Sequence, residues 1–132
     1  MKKLIVCIGI LMLMQSFQCE ENTQTPAEDA QTELQALKLE IQNYINSIPC
    51  DAASGCNFLA FGSKPCGGPW EYLVFSNNVD LEWLTQKVTT YNELEHQFNL
   101  ENNVISDCMM AMPPENLGCL NNQCTVLLNE EQ

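Results

Sequence analysis

Residues 117–126, LGCLNNQCTV, place a cysteine on each side of an Asn-Asn pair. Asparagine tolerates the left-handed backbone conformation, so Asn121 and Asn122 favour a two-residue β-hairpin turn. In that hairpin Cys119 faces Cys124 in a non-hydrogen-bonded position, where opposite Cα atoms lie about 4.5 Å apart. Such a distance suits a disulfide, and we therefore predict that these two cysteines form a bridge.

The first 18 residues have the pattern of an export signal peptide. Lys2 and Lys3 precede an uncharged apolar run from Leu4 to Met14. A run of about 11 residues fits the apolar region of a signal peptide, whereas a membrane-spanning helix needs roughly 20. We therefore expect residues 1–18 to be removed and the chain to reach an oxidising compartment, where thiols pair as disulfides.

Cys19 allows two interpretations. It is either the lipidated first residue of a mature lipoprotein or an additional thiol near an ordinary cleavage site, and Gln18 is larger than the residue that usually precedes such a cut. The number of cysteines favours lipidation. Of the eight in the chain, Cys7 leaves with the signal peptide, and a lipidated Cys19 leaves an even number for pairing. Residues 19–24 are then an acidic tether to a membrane that is contacted only through the lipid, and residues 25–132 form a single domain.

The remaining cysteines predict three disulfides. Besides Cys119–Cys124, short spacing favours Cys50–Cys56, which leaves Cys66–Cys108; this is one of several possible pairings. The sequence between them contains no CxxC motif, which argues against a zinc site and against a redox-active dithiol. We therefore predict no metal and no cofactor.

Two amphipathic helices are predicted. The first starts at Thr25-Pro26, where the threonine hydroxyl and Glu28 supply the two halves of a capping box, and it ends at Pro49. The second starts in the range Asn78–Asp80 and ends within Asn99–Asn103. In both segments apolar residues recur at spacings of three and four, which is typical of a helix with one buried face.

Strands are predicted where branched and aromatic residues cluster. Residues 57–61 and 71–75 form two strands, the C-terminal hairpin adds a pair, and Val104–Met112 is a further strand that Pro113-Pro114 stops. The predicted fold is therefore α+β, with two amphipathic helices packed on a small antiparallel sheet and stapled by disulfides. A core of this size gives only marginal stability, so the cross-links contribute substantially.

The chain is strongly acidic. Its formal net charge is −12, and loss of Lys2 and Lys3 with the signal peptide makes this −14, since three lysines and no arginine then remain against 17 acidic residues. Such a charge repels a phosphate backbone, which excludes nucleic acid as a partner. The acidity otherwise serves solubility or the recognition of a basic partner.

No combination of residues for a common enzyme mechanism stands out. His96 is the single histidine and falls on the polar side of the second helix, and paired cysteines leave no thiol for a Cys-His nucleophile. Glu82, Glu93, Glu95 and Asp107 have no spacing that indicates a catalytic carboxylate pair. We therefore predict no catalytic residue, and an enzyme with carboxylate chemistry remains an alternative.

The stretch GSKPCGGPW, residues 62–70, is rich in glycine and proline. One interpretation is structural, with Trp70 covering the core and Cys66 serving as a cross-link. The other is a rigid binding loop, because proline and a disulfide reduce the conformational entropy that is lost on binding. In that case we expect Lys64, Pro65 and Trp70 to contact a protein partner, which the loop binds or inhibits.

The run FGSKPCGGPWEYLVFS, residues 61–76, together with the later Cys119 and Cys124, resembles a family of small, cysteine-rich, secreted or lipid-anchored bacterial proteins. The resemblance extends from Cys50 to Cys124 and is most specific at GSKPCGGPW. It implies export and disulfide bonding, and it implies no reaction.

These observations predict an extracytoplasmic protein of the cell envelope or cell surface, anchored by lipid at Cys19 or otherwise secreted. The expected function is non-catalytic binding of a protein partner through Gly62–Trp70. A small secreted enzyme and a purely structural envelope protein are the alternatives.

Overall fold

Two helices and four short strands form the part of the chain that the computed structural model describes, residues 25–51 and 53–127. In chain order they are α1 (Pro26–Ser47), β1 (Cys56–Phe61), β2 (Glu71–Ser76), α2 (Leu81–Glu101), β3 (Leu117–Leu120) and β4 (Gln123–Val126). The predicted signal peptide, Cys19 and the acidic tether lie outside the described residues. Neither described helix is long and apolar enough to cross a membrane.

The start of α1 is set by local chemistry, as predicted. The Thr25 hydroxyl accepts a hydrogen bond from the Glu28 backbone amide at 3.3 Å, and the Thr25 amide donates to the Glu28 carboxylate at 2.9 Å. These bonds hold the pKa of Glu28 below its ordinary value. Pro26 occupies the first helical position, where its missing amide costs nothing. The helix ends at Ser47, shortly before Pro49.

The second helix, α2, runs antiparallel to α1. It begins after Asp80, whose carboxylate accepts from the Trp83 amide at 3.0 Å, and the Asp80 amide donates to the Tyr44 hydroxyl at 2.8 Å. The rings of Tyr44 and Trp83 lie 4.1 Å apart, and Lys87 pairs with Glu40 at 2.7 Å. The end of α1 therefore lies beside the start of α2.

The antiparallel pair β1–β2 packs against both helices. Leu59 lies opposite Leu73 in its register, and Phe61 stacks on Tyr91 of α2 with ring centroids 4.3 Å apart. The core contains buried residues from both helices, both strands and their connections: Leu34, Ile41, Phe61, Leu73, Phe75, Val79, Leu84, Val88 and Tyr91. Burial of this apolar surface drives the packing, and the α+β fold is as predicted.

β3 and β4 form the C-terminal hairpin that the sequence predicts. Asn121 and Asn122 make its turn with φ angles of 51° and 64°. In the resulting register Cys119 lies opposite Cys124. This hairpin is a two-stranded sheet separate from that of β1 and β2, so two small sheets replace the single sheet expected from the sequence.

Disulfide pairing at this hairpin differs from the prediction. Cys119 bonds Cys50 and Cys124 bonds Cys56, with Cα separations of 5.8 and 5.7 Å, in place of the predicted Cys119–Cys124 and Cys50–Cys56 bridges. Opposite residues of an antiparallel pair place their side chains on one face. This face lies against the segment between α1 and β1, where the Cys50 amide donates to the Asn122 carbonyl at 3.1 Å. Each hairpin sulfur therefore meets a cysteine of that segment.

The observed bridges connect residues that are 69 and 68 positions apart. The predicted pairs close loops of only a few residues. In the chain-entropy account, a longer closed loop removes more freedom from the unfolded chain and stabilises the fold more. The third bridge, Cys66–Cys108, agrees with the prediction.

The predicted strand Val104–Met112 is wrong. Residues 104–114 contain neither helix nor strand and lead from the end of α2 towards the start of β3. A strand needs neighbouring backbone groups as hydrogen-bond partners. Here the carbonyl of Met109 instead accepts from the Lys64 side chain at 2.7 Å, and Cys108 is bonded to Cys66.

Peptide mapping distinguishes the observed pairing from the predicted one. Cleavage of the denatured, unreduced chain at Asp51 and Glu115 separates Cys50 from Cys56 and isolates the peptide that begins at Asn116. Because both hairpin cysteines bond outside the hairpin, we expect that peptide to be joined to the peptides carrying Cys50 and Cys56. Mass spectrometry before and after reduction detects the joined species, and an unjoined peptide with an internal bridge would contradict the observed pairing.

Candidate binding site

The loop of residues 62–70, called the proline–tryptophan loop below, is fastened to one face of α2. The Gly62 amide donates to Asn92 Oδ1 at 2.7 Å, and the Ser63 amide donates to Glu95 Oε2 at 2.5 Å. Asn99 Nδ2 donates to the Ser63 carbonyl at 2.7 Å. The three helical residues are spaced by three and four positions, so they lie on the same side of the helix and hold the first residues of the loop.

Backbone hydrogen bonds give the proline–tryptophan loop a defined shape. The Trp70 amide donates to the Phe61 carbonyl at 3.0 Å and closes the loop between β1 and β2. Inside it, the Gly67 amide donates to the Lys64 carbonyl at 2.8 Å, and the Lys64 amide donates to the Gly68 carbonyl at 2.9 Å. These bonds form a tight turn that presents Pro65, Gly67 and Gly68 to solvent.

Gly62 is required where the loop leaves β1. Its φ angle is +85°, and a Cβ atom at this position would lie 2.6 Å from Trp70 Cδ1 and 3.0 Å from Glu95 Oε2. Trp70 thus packs directly on a backbone that has no side chain. The tryptophan remains 40 % exposed, so it both covers the loop and reaches the surface.

Lys64 is buried inside this arrangement, with 8 % of its surface exposed. Its ammonium group donates to Asp107 Oδ1 at 2.9 Å and to the Met109 carbonyl at 2.7 Å. The same nitrogen lies 5.0 Å from the centroid of the Trp70 ring, within the range of a cation–π interaction. A buried charge is tolerated only when such partners replace water, so Lys64 joins the loop to residues 107–109.

The burial of Lys64 argues against its predicted contact with a partner, because its ammonium group already donates hydrogen bonds within the protein. The other two predicted contact residues lie at the surface: Pro65 is exposed, and part of the Trp70 ring is accessible. Lys64 therefore positions the loop, and the loop surface is free of that positive charge.

Asp107 is the acidic partner in this contact. Its hydrogen bond to Lys64 and the nearby positive charge hold the pKa of Asp107 below its ordinary value. The Asp107 side chain is 63 % exposed, whereas that of Lys64 is 9 % exposed. The ion pair thus extends from the interior to the surface, and the carboxylate retains access to water.

Residues 104–112, called the methionine segment below, carry an unusual number of exposed apolar side chains. Its exposed fractions are 91 % for Ile105, 73 % for Met109, 84 % for Met110 and 76 % for Met112. All methionines that follow the predicted signal peptide lie here. The segment is cross-linked to the proline–tryptophan loop by Cys66–Cys108 and bonded to Lys64 at Met109, so these side chains project from a backbone that is held in place.

A cleft of about 290 Å³ lies between the two helices beside Trp70. At its wall the Tyr91 hydroxyl donates to Glu95 Oε1 at 3.2 Å, and burial together with the Glu95 carboxylate raises the pKa of Tyr91 well above its ordinary range. Lys38, also at the wall, pairs with Glu71 at 2.9 Å. Glu95 Oε2 accepts from the Ser63 amide, so one oxygen of this carboxylate holds the loop and the other is bonded to Tyr91 of the same helix.

Two parts of this site are not identifiable from local sequence patterns. The spacing of Asn92, Glu95 and Asn99 predicts a shared helix face, but only the fold shows that this face meets the proline–tryptophan loop. Val104–Met112 has the composition of a strand, and only its path over the surface exposes it. The clustering of three methionines within four residues is the one available sequence signal for this surface.

The described residues define a small α+β fold that carries three disulfides and an exposed apolar surface beside a hydrogen-bonded loop. No family model, curated protein or solved structure matches the chain. The resemblance of residues 61–76 to small cysteine-rich bacterial proteins therefore stays a prediction.

Substitution of Gly62 tests the packing of Trp70 on the loop backbone. We expect Gly62→Ala to lower the free energy of unfolding by about 3 kcal/mol, because the left-handed conformation costs an alanine about 1–2 kcal/mol and the close contact with Trp70 adds a similar amount. Gly67→Ala is the matched control, since Gly67 has φ +93° but no atom within 4 Å of the added Cβ. Urea denaturation measures both, and equal losses would show that the Trp70 contact is unimportant.

The ion pair of Lys64 predicts a pH-dependent contribution to stability. Because the pKa of Asp107 is lower in the folded than in the unfolded chain, its contribution is present above about pH 4 and is lost as pH falls through the folded value. We expect Asp107→Asn to destabilise the protein at neutral pH and to have a smaller effect at about pH 2. Glu115→Gln, which removes a charge outside the Lys64 contacts, is the control in urea denaturation at both pH values. A destabilisation by Asp107→Asn that is independent of pH would contradict this assignment.

Proposed function

We propose that this protein is an extracytoplasmic, non-catalytic binding protein that contacts a protein partner through a surface formed by Trp70 and the methionine segment. The proline–tryptophan loop is joined to the methionine segment by Cys66–Cys108 and by Lys64, and its exposed Pro65 lies at the edge of this surface. In this proposal the chain is anchored to a membrane by lipid at Cys19. The observation that carries the proposal is the exposure of four large apolar side chains on a cross-linked segment.

Exposure of this kind is unfavourable unless another surface covers it. Soluble monomers rarely expose large contiguous apolar patches, and such patches commonly mark interaction sites. Unbranched methionine side chains adapt to irregular partner surfaces. Their backbone is already ordered by Cys66–Cys108 and by the Lys64 hydrogen bond to Met109, which lowers the conformational entropy lost on binding.

The charge of the chain indicates the kind of partner. With a net charge of −14 after the signal peptide, the protein attracts a basic surface and repels acidic ones. Asp107 lies within the methionine segment and is largely exposed. A partner that combines an apolar groove with a basic rim fits both features, because apolar contact supplies affinity and the charged rim accelerates association.

The setting of the protein follows from its disulfides. Three bridges cross-link the described residues, which indicates an oxidising, extracytoplasmic environment. Lipid attachment at Cys19 accords with the even number of paired cysteines and the acidic tether. Binding is favoured over carboxylate catalysis because Glu95, the carboxylate bonded to the loop, already accepts hydrogen bonds from Ser63 and Tyr91.

Photo-crosslinking through methionine tests the proposed surface. A chain produced with photo-methionine and freed of its signal peptide carries the reactive group only at Met109, Met110 and Met112. Mixed with envelope extract of the producing cell and irradiated, it is expected to form one discrete adduct with a protein that mass spectrometry identifies. With that protein purified, Met109→Ser/Met110→Ser/Met112→Ser is expected to weaken binding at least tenfold, because each methionine that is buried on binding contributes about 1.5–3 kcal/mol.

Leu39→Ser is the matched control for that experiment. Leu39 is 57 % exposed on α1, so this variant replaces an exposed apolar side chain outside the proposed surface and should leave the dissociation constant unchanged. Circular dichroism checks that each variant is folded. Adducts with lipid alone, or equal weakening by the Leu39 variant, would rule out a protein-binding role for the methionine segment.

A further inference from the structure

The four cysteines at the hairpin form a single sulfur cluster. The Sγ atoms of Cys50, Cys56 and Cys124 all lie within 4.8 Å of one another, although they belong to two different bridges. Cys119 Sγ is bonded to Cys50 Sγ and so adjoins the same group. The fold thus brings two pairs of cysteines together. Cys50 and Cys56, at the two ends of residues 50–56, form one pair, and Cys119 and Cys124 of the hairpin form the other.

Hydrogen bonds order the two turns that carry these cysteines, and one of them links the turns to each other. In the turn between Cys50 and Cys56, Asp51 Oδ1 accepts from the Ala53 and Ser54 amides at 2.8 and 2.6 Å. The Cys50 amide donates to the Asn122 carbonyl at 3.1 Å. The hairpin keeps its own turn through two asparagines with left-handed backbone. None of these hydrogen bonds involves sulfur, so they favour nearness of the four thiols after reduction.

Four neighbouring thiolates are a ligand set for Zn²⁺. Structural zinc sites are tetrahedral with Zn–S distances of about 2.3 Å, which places the sulfurs about 3.8 Å apart. The Cα separations of 5.8 and 5.7 Å in the present bridges need only a small expansion to reach that arrangement. In the sequence, the spacing of these cysteines argues against a zinc site because there is no CxxC motif. In the fold, the turn of residues 50–56 and the hairpin face each other, and together they supply four cysteine ligands.

We propose that Cys50, Cys56, Cys119 and Cys124 form a Zn²⁺ site when both of their disulfides are reduced. An external dithiol gives two electrons and two protons to each bridge and becomes a disulfide itself, which leaves four protein thiols. Zn²⁺ then binds four thiolates as the four thiol protons are released to solvent. Either two disulfides or one metal ion therefore holds the hairpin against the segment between α1 and β1. Cys66 and Cys108 take no part.

Metal binding to the reduced protein tests this site. The mature chain is reduced anaerobically with a phosphine that does not bind the metal ions. Co²⁺ is then added as a spectroscopic probe. We expect one Co²⁺ per chain, with thiolate-to-cobalt charge-transfer bands and the visible bands of tetrahedral coordination, and stoichiometric displacement by Zn²⁺. The Cys66→Ser/Cys108→Ser variant should give the same spectrum, and Cys50→Ser/Cys119→Ser should lose the charge-transfer bands.

Alkylation of the reduced wild-type chain provides a second readout that does not depend on the folding of a variant. With Zn²⁺ present, we expect Cys50, Cys56, Cys119 and Cys124 to react at least tenfold more slowly than Cys66 and Cys108. A reduced chain that takes up no Co²⁺, or zinc protection of Cys66 and Cys108 equal to that of the four proposed ligands, overturns the proposal. Retention of the charge-transfer bands in the Cys50→Ser/Cys119→Ser variant overturns it as well.

Discussion

Two disulfides, Cys50–Cys119 and Cys56–Cys124, hold the C-terminal hairpin against the segment between α1 and β1. The hairpin contains only four residues in each strand, and an isolated two-stranded hairpin is at best marginally stable in water. Its attachment also fixes the far end of the chain that follows α2. The methionine segment therefore starts at the end of α2 and leads to the hairpin. Between these two ends, Cys108 bonds it to the proline–tryptophan loop. Its exposed side chains are a consequence of this path.

A buried cation organises the proposed binding surface from inside. Lys64 contacts Asp107, the Met109 carbonyl and the Trp70 ring, so one side chain connects the two segments that Cys66–Cys108 also joins. Removing a lysine from water is costly unless its hydrogen bonds are replaced, and this cost makes alternative arrangements of the loop unfavourable. The apolar residues above it are thereby presented on an ordered backbone, which favours recognition of a partner surface. The sulfur cluster lies at the other end of β1 from the proline–tryptophan loop.

The loop of the candidate site was recognisable in the sequence, whereas the contacts that hold it were not. Residues 62–70 stand out in the sequence, and the structure shows a hydrogen-bonded loop there with Pro65 and part of Trp70 at the surface. The burial of Lys64 was not predictable, because nothing in a linear sequence reveals that Asp107 and Met109, more than 40 positions away, bond to its ammonium group. Exposure of the methionine segment is likewise a property of its path, since the same residues in a paired strand would alternate between core and solvent.

Local chemistry alone determined the beginning of both helices, the Asn121–Asn122 turn and the facing register of Cys119 and Cys124, because capping and left-handed turns depend on atoms only a few residues apart. The acidic charge and the expectation of an oxidising environment also follow from composition. Tertiary structure alone decided which cysteines pair, since a disulfide forms between sulfurs that the fold brings together, and nearness in sequence does not ensure that. It also decided that Lys64 is buried and that the methionines are exposed, because burial depends on which surfaces the packed elements cover.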